Sequence, residues 1–240
     1  TGKLTDLDTA MSRNLTVQYR GRSIVVPVAD IDRYLASHGG DNPTFGNVRE
    51  MYALDCYLNR ISLPPPLGTV LDLGANRGMF SLLALRAFDA KLVIGVEPNP
   101  TYNAVLQTLL NANQLNAERA IRYDRFVTSP SAEKRDPAGN ISIETICEEH
   151  NIERITFAKI DIEGYERDLF SEPQWLARVD TLAMEVHPGL VGDLSIIPQA
   201  LSHYAFDHIS VSQFGEPRDV NEATFLYASR TGALTESRLR

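Results

Sequence analysis

The segment Leu71-Asp72-Leu73-Gly74-Ala75-Asn76-Arg77-Gly78 constrains the fold of this 240-residue chain more than any other. It closes a short apolar run, Val70 to Leu73, and opens onto Phe80, Leu83 and Phe88 at helical spacing. A strand that ends in a glycine turn and feeds a helix is the building unit of parallel sheets. Glycine turns the backbone tightly and lets a ligand approach where a Cβ would stand. Gly74 and Gly78 therefore predict a ligand site at the carboxyl end of this strand.

The pattern repeats downstream. Leu92–Val96, Ala120–Val127, Ile155–Ile160 and Leu182–Val186 read as further strands, with Tyr102, Val105, Leu106, Leu109 and Leu110 lining one helix face between them. Asn99 suits the cap of that helix and Pro100 its first turn. Two last strands, near Asp207–Ser212 and Ala223–Ala228, read as an antiparallel pair at a sheet edge. The expected class is α/β, a mostly parallel sheet with helices on both faces.

Charge chooses the nucleotide. Glu97 stands 19 positions after Gly78, close to the offset of about 20 at which an acid meets ribose hydroxyls. Asp72 occupies the place of the first glycine in a dinucleotide fingerprint, where a carboxylate repels pyrophosphate. S-adenosylmethionine carries an ammonium, a sulfonium and a ribose diol, which suit carboxylates. Asp72, Gly74, Asn76, Gly78, Glu97 and Asn99 are the expected cofactor contacts, with Asp124 to Phe126 beside the adenine.

Pro64-Pro65-Pro66 sits in neither a helix nor a central strand, and it divides residues 1–66 from residues 67–240. The first part reads as a small N-terminal lobe, a lid or acceptor contact. It holds a hairpin of Leu15–Tyr19 and Ser23–Val28, then a helix carrying Val48, Met51, Leu54, Leu58 and Ile61. Cys56 and Cys147, the only cysteines, read as free thiols in helices. The net charge of −8 argues against a nucleic-acid partner. No apolar run reaches the roughly 18 residues of a membrane span, and Thr1 to Leu15 lack the order of a secretory signal. A cytoplasmic location and a small acceptor are expected, and self-association is left open.

Four pieces resemble the FkbM-type methyltransferases: the Leu71–Gly78 turn, Val96-Glu97-Pro98-Asn99-Pro100, Lys159-Ile160-Asp161-Ile162-Glu163-Gly164-Tyr165-Glu166, and Glu185-Val186-His187-Pro188. Together they span Val70 to Pro188. The resemblance implies a Rossmann-like class I fold with a seven-stranded sheet, a cofactor loop that includes Pro98 and Phe126, and O-methylation of a hydroxyl on a sugar or secondary metabolite.

An alcohol is a poor nucleophile at neutral pH, so its proton needs an acceptor or its oxygen a metal. Asp161 and Glu163 follow the fourth strand, Glu185 and His187 the fifth. Positions two apart on extended chain share a face. His187 is the expected base because an ordinary imidazole titrates near working pH, with Asp161 its rival and Glu163 third. Glu166 reads as a solvated or helix-starting carboxylate. No metal is required, although Asp161, Glu185 and His187 offer donors for Mg²⁺ or Mn²⁺. Two other readings share the architecture, an NAD-dependent oxidoreductase and a non-catalytic cofactor-binding protein. The missing G-x-G-x-x-G counts against the first, and the set of acids and His187 against the second.

Overall fold

A computed structural model describes residues 6, 8–40 and 43–236. The N-terminal part contains β1 (Asn14–Tyr19), β2 (Arg22–Pro27), α1 (Val28–Ser37) and α2 (Thr44–Val48). Then follow β3 (Thr69–Leu73), α3 (Met79–Ala87), β4 (Leu92–Val96), α4 (Tyr102–Ala112), β5 (Ala120–Tyr123), β6 (Phe126–Val127), α5 (Pro130–Arg135), β7 (Asn140–Ile141) and α6 (Ile143–Glu149). The last third holds β8 (Ile155–Ile160), α7 (Glu166–Leu169), β9 (Thr181–Glu185), α8 (Pro188–Val191), α9 (Ile196–His203), β10 (Asp207–Val211) and β11 (Phe225–Ser229).

Seven strands form the central sheet in the order β10-β11-β9-β8-β3-β4-β5. Five run parallel, and β11 enters antiparallel between β9 and β10. The inner strands are near-continuous apolar runs because both faces are covered. Alternation divides their side chains: Val70 and Phe157 join the core on one face, and Leu71, Leu73, Ala158 and Ile160 the core on the other. This is the expected α/β architecture, a mostly parallel seven-stranded sheet.

The N-terminal part shares the first of those cores. Ile24, Val26, Ile31 and Leu35 pack in one cluster with Phe80, Leu83, Leu106 and Leu109. On α1, Val28, Ile31 and Leu35 form the buried stripe expected of an amphipathic helix. The Asn113 side chain exchanges two hydrogen bonds with the backbone of Val25, at 2.8 and 2.7 Å. Among the described residues, no helix is long and apolar enough to cross a membrane.

Local structure departs from expectation at three places. The predicted helix through Ile61 ends early: α2 passes into a π-turn, Arg49–Ala53, and Asp55 adopts φ +50 with its carboxylate held by the Tyr19 hydroxyl at 2.7 Å. Leu58 therefore reaches the core from a turn and Ile61 from an isolated bridge to Leu234, and Cys56 lies in that turn instead of a helix. The strand expected over 120–127 breaks after Tyr123, where the Asn103 amide takes the Asp124 carboxylate at 2.9 Å. Phe126 and Val127 then pair with Asn140 and Ile141 in a separate ribbon. Finally, α4 starts at Tyr102. Asn99 does not cap it directly but closes the preceding turn by accepting the Thr101 N–H at 3.0 Å.

Candidate active site

After β5 the chain returns to lay β8 beside β3, so the strand order reverses between those two. Their carboxyl ends diverge into a crevice, the usual ligand site of open α/β sheets. Gly74 makes this possible. Its φ is +71, and an added Cβ would lie 1.6 Å from the Asp161 carbonyl oxygen.

A cavity of about 310 Å³ opens there. Gly74, Asn76, Glu97, Pro98, Asn99 and Phe126 line it, as the sequence predicts, together with Tyr102, Arg125, Val127, Ile162 and Tyr165. Glu97 is fixed in place: Oε2 accepts the Asn76 N–H at 2.9 Å and Oε1 the Asn99 N–H at 3.0 Å. Each oxygen keeps a lone pair for a diol. The rings of Phe126 and Tyr165 stack with centroids 5.2 Å apart and form an exposed aromatic lip suited to a planar base.

Two expected cofactor contacts lie elsewhere. Asp72 is fully buried, bonded to the Ser81 hydroxyl at 2.6 Å and paired with Lys159 at 3.6 Å. It lies behind the turn and cannot meet the donor. Gly78 caps α3 and packs on Leu106, away from the cavity.

Lys159 is the residue that sequence reasoning overlooked. Only 3% exposed, its ammonium donates to the carbonyls of Gly74 (2.6 Å) and Leu73 (3.3 Å) and stands 3.6 Å from both Asp72 and Asp161. It thus ties the glycine turn to the carboxylate at the crevice floor. Tyr57, contributed by the N-terminal part, donates to Asp161 Oδ2 at 2.9 Å and lies 3.4 Å from Glu185 Oε2.

Asp161, Glu163 and His187 converge as expected, although Glu163 reaches the site through a left-handed turn (φ +49) and not through extended chain. His187 Nε2 is 3.9 Å from Asp161 Oδ1 and 3.7 Å from Glu163 Oε2. Glu185 is not part of this trio and lies beside the Tyr57 hydroxyl. Glu166 corrects another expectation: it is fully buried, and its Oε1 takes the His187 Nδ1–H at 2.5 Å.

These contacts set the local acidities. The Glu166 hydrogen bond, followed by the surrounding carboxylates, holds the imidazolium proton of His187 up to about 9. At neutral pH that imidazole keeps its proton, so the premise of an ordinary, ready base does not hold for it. Burial, then the neighbouring Asp161, pushes the Glu185 carboxyl up to about 7.

A second cavity, of about 560 Å³, adjoins the first and shares Asn76, Asp161 and Glu163 with it. Glu50, Tyr57 and Arg60 of the N-terminal part, Glu185, and Phe214 on the loop after β10 line the rest. Phe214 is 90% exposed at its rim. A larger open cleft, about 760 Å³, lies at the amino ends of the strands around Thr69, Thr156 and Thr181. It is far from the crevice, and its Arg154 and Asp180 pair with one another at 2.7 Å.

Comparison with known proteins places this geometry in context. A methyltransferase FkbM domain model matches residues 72–209, more than half of the chain. No curated protein matches the sequence. Among solved structures, an FkbM methyltransferase from Methylobacillus flagellatus KT is similar at 18% identity and TM-score 0.47, covering 70% of this chain and 48% of its own. The METTL16 methyltransferase domain gives 9% identity and TM-score 0.45, covering 68% of this chain and 60% of that domain. TYW2 of M. jannaschii, in complex with AdoMet, gives 15% and 0.43, covering 90% and 84%. The chain thus spans about half the length of the first of these relatives and three fifths of the second. These likenesses bear on neither acceptor nor chemistry.

Proposed function

The chain belongs to the FkbM methyltransferase family, and from that premise we propose that it is an S-adenosylmethionine-dependent O-methyltransferase acting on a hydroxyl of a small, polar acceptor such as a glycoside or secondary metabolite. The observation that carries this reading is the pair of cavities that meet at Asn76, Asp161 and Glu163. One suits the donor. Glu97 offers both oxygens to a diol, Asp161 and Glu163 face a positive group, and the Phe126–Tyr165 lip accepts a flat base. The same carboxylates oppose a pyrophosphate, which argues against a dinucleotide. The other cavity, beyond the shared wall, has room for an acceptor.

When bound, S-adenosylmethionine supplies a methyl group on positive sulfur, and the carbon–sulfur pair stays on sulfur as the new oxygen–carbon bond forms. The protein's part is alignment, exclusion of water and removal of one proton. We assign the proton to Glu185, which lines the acceptor cavity and is positioned by the Tyr57 hydroxyl. Tyr57, Glu50 and Arg60 give the N-terminal part its role as the acceptor-side wall. The net charge of −8 supports a small acceptor over a nucleic acid.

Incubation with labelled donor and a panel of glycosides and hydroxylated metabolites, with products located by mass spectrometry, tests the reading. Methyl on oxygen is expected, and methyl found on nitrogen or on RNA overturns it. Glu97→Ala is expected to weaken S-adenosylhomocysteine binding by roughly 10- to 100-fold, the worth of lost hydrogen bonds to a charged group. Glu185→Gln is expected to leave that affinity within about twofold and to lower kcat by at least about 100-fold. Equal losses of affinity in the two variants, read by calorimetry, would undo this division of roles.

A further inference from the structure

We propose that Asp161, Glu163 and His187 form a binding site for one hard divalent cation, Mg²⁺ or Mn²⁺, at the wall of Asp161 and Glu163 that the two cavities share. One donor atom from each residue lies within 4.8 Å of the others. The pairs measured from His187 Nε2, 3.7 and 3.9 Å, exceed the cis spacing of about 3 Å in an octahedral shell by less than about 1 Å. Glu163 is 77% exposed at its side chain and free to close that gap.

Three independent features point to a ligand here. The first is the setting of the imidazole. His187 Nδ1 is bonded to Glu166, a carboxylate with no exposure, which turns Nε2 toward Asp161 and Glu163. A carboxylate behind a histidine is the arrangement that orients metal-bound imidazoles and strengthens their donor nitrogen. The second is Asp161. Its Oδ2 is taken by Tyr57 and Lys159, while Oδ1 is shielded from solvent, has no hydrogen-bond partner and faces His187. A buried carboxylate oxygen left unpaired is uncommon and wants a partner. The third is charge: Asp161, Glu163 and Glu166 surround the imidazole, and Lys159, 3.6 Å from Asp161, is already shared with Asp72.

A divalent ion answers that charge. One nitrogen and two carboxylate oxygens on one side leave the opposite face for water and for the acceptor, which suits Mg²⁺ or Mn²⁺. A cation held by these residues would lower the pKa of an acceptor hydroxyl, and Glu185, which lines the acceptor cavity, would receive the proton. This rests on the methyltransferase reading for its purpose, though not for its test.

The full chain, stripped with EDTA, is titrated with Mn²⁺ and followed by electron paramagnetic resonance, with neither donor nor acceptor present. One tight site per chain, displaced by Mg²⁺, is expected. Asp161→Asn, His187→Gln and the exposed Glu163→Gln should each weaken Mn²⁺ binding at least about tenfold. Glu166→Gln should do so by about 10- to 100-fold, an effect that a loose acidic patch would not transmit. Asp180→Asn, in the distant cleft, should change nothing. Circular dichroism checks that each variant folds. S-adenosylhomocysteine binding is measured on the same samples. Uptake of the nucleoside without Mn²⁺ overturns the cation site and leaves the donor site standing. Mn²⁺ uptake without the nucleoside does the reverse. Weak binding that all four site variants retain also overturns the proposal.

Discussion

Gly74→Ala is expected to yield a protein that melts far below the parent and no longer binds S-adenosylhomocysteine. Two costs combine at this position. A left-handed residue with a side chain costs roughly 1–2 kcal/mol, and Gly74 has φ +71. The added Cβ would also meet the Asp161 carbonyl oxygen at 1.6 Å and its carbon at 2.7 Å. Those are backbone atoms of the residue that follows β8, so no rotamer change relieves the clash and the ends of β3 and β8 must part. A total of at least about 3 kcal/mol is expected, or about 6–12 °C in Tm at the 2–4 °C per kcal/mol usual for a chain of this length. Gly21 supplies the control. Its φ is +76, yet nothing lies within 4 Å of its would-be Cβ, so Gly21→Ala should cost only the conformational part. Were the two variants to melt together, with donor affinity intact in both, the close approach of turn and strand would not be what shapes the donor cavity.

What was legible in the sequence follows from range. The strands β3, β4, β8 and β9 announce themselves because parallel strands buried on both faces are short apolar runs, and the glycine turn because only glycine tolerates its backbone. Local signals also found the hairpin β1–β2, each end to within one residue. They failed where a distant side chain decides. The strand over 120–127 continues on pattern alone and is broken by Asn103 taking Asp124. The helix expected through Ile61 is ended where Tyr19 takes Asp55. The same distinction runs through the site. Glu97 and Asn76 were legible because the loop that carries them makes the contact. Tyr57 acts on Asp161 from 104 residues away and carries no local signature. Glu166 shows how misleading locality is: at the start of α7 it has every mark of a solvated carboxylate, yet α7 turns it inward onto His187. Asp72 reads as a partner for the donor's positive charge, and the charge it meets belongs to the protein itself.

That internal pairing carries the second large expectation. Lys159→Met should destabilise the protein by roughly 3–5 kcal/mol, because breaking a buried ion pair leaves one charge without compensation. Asp72 would be that charge, fully buried, with one hydrogen bond from Ser81 remaining. If the penalty is electrostatic, it should be largely returned by neutralising the partner. The double variant Lys159→Met, Asp72→Asn keeps the shape and the Ser81 contact, and a coupling of about 2 kcal/mol or more is expected from denaturant curves of the four proteins. Recovery of stability should not bring recovery of function. Lys159 also donates to the Gly74 carbonyl at 2.6 Å and stands 3.6 Å from Asp161 Oδ2, and methionine does neither. The double variant is therefore expected to melt near the parent and still show weakened donor binding and slowed transfer. A single variant that costs less than about 1 kcal/mol, or a double variant with full turnover, would mean that the ammonium holds neither Asp72 nor the turn above it.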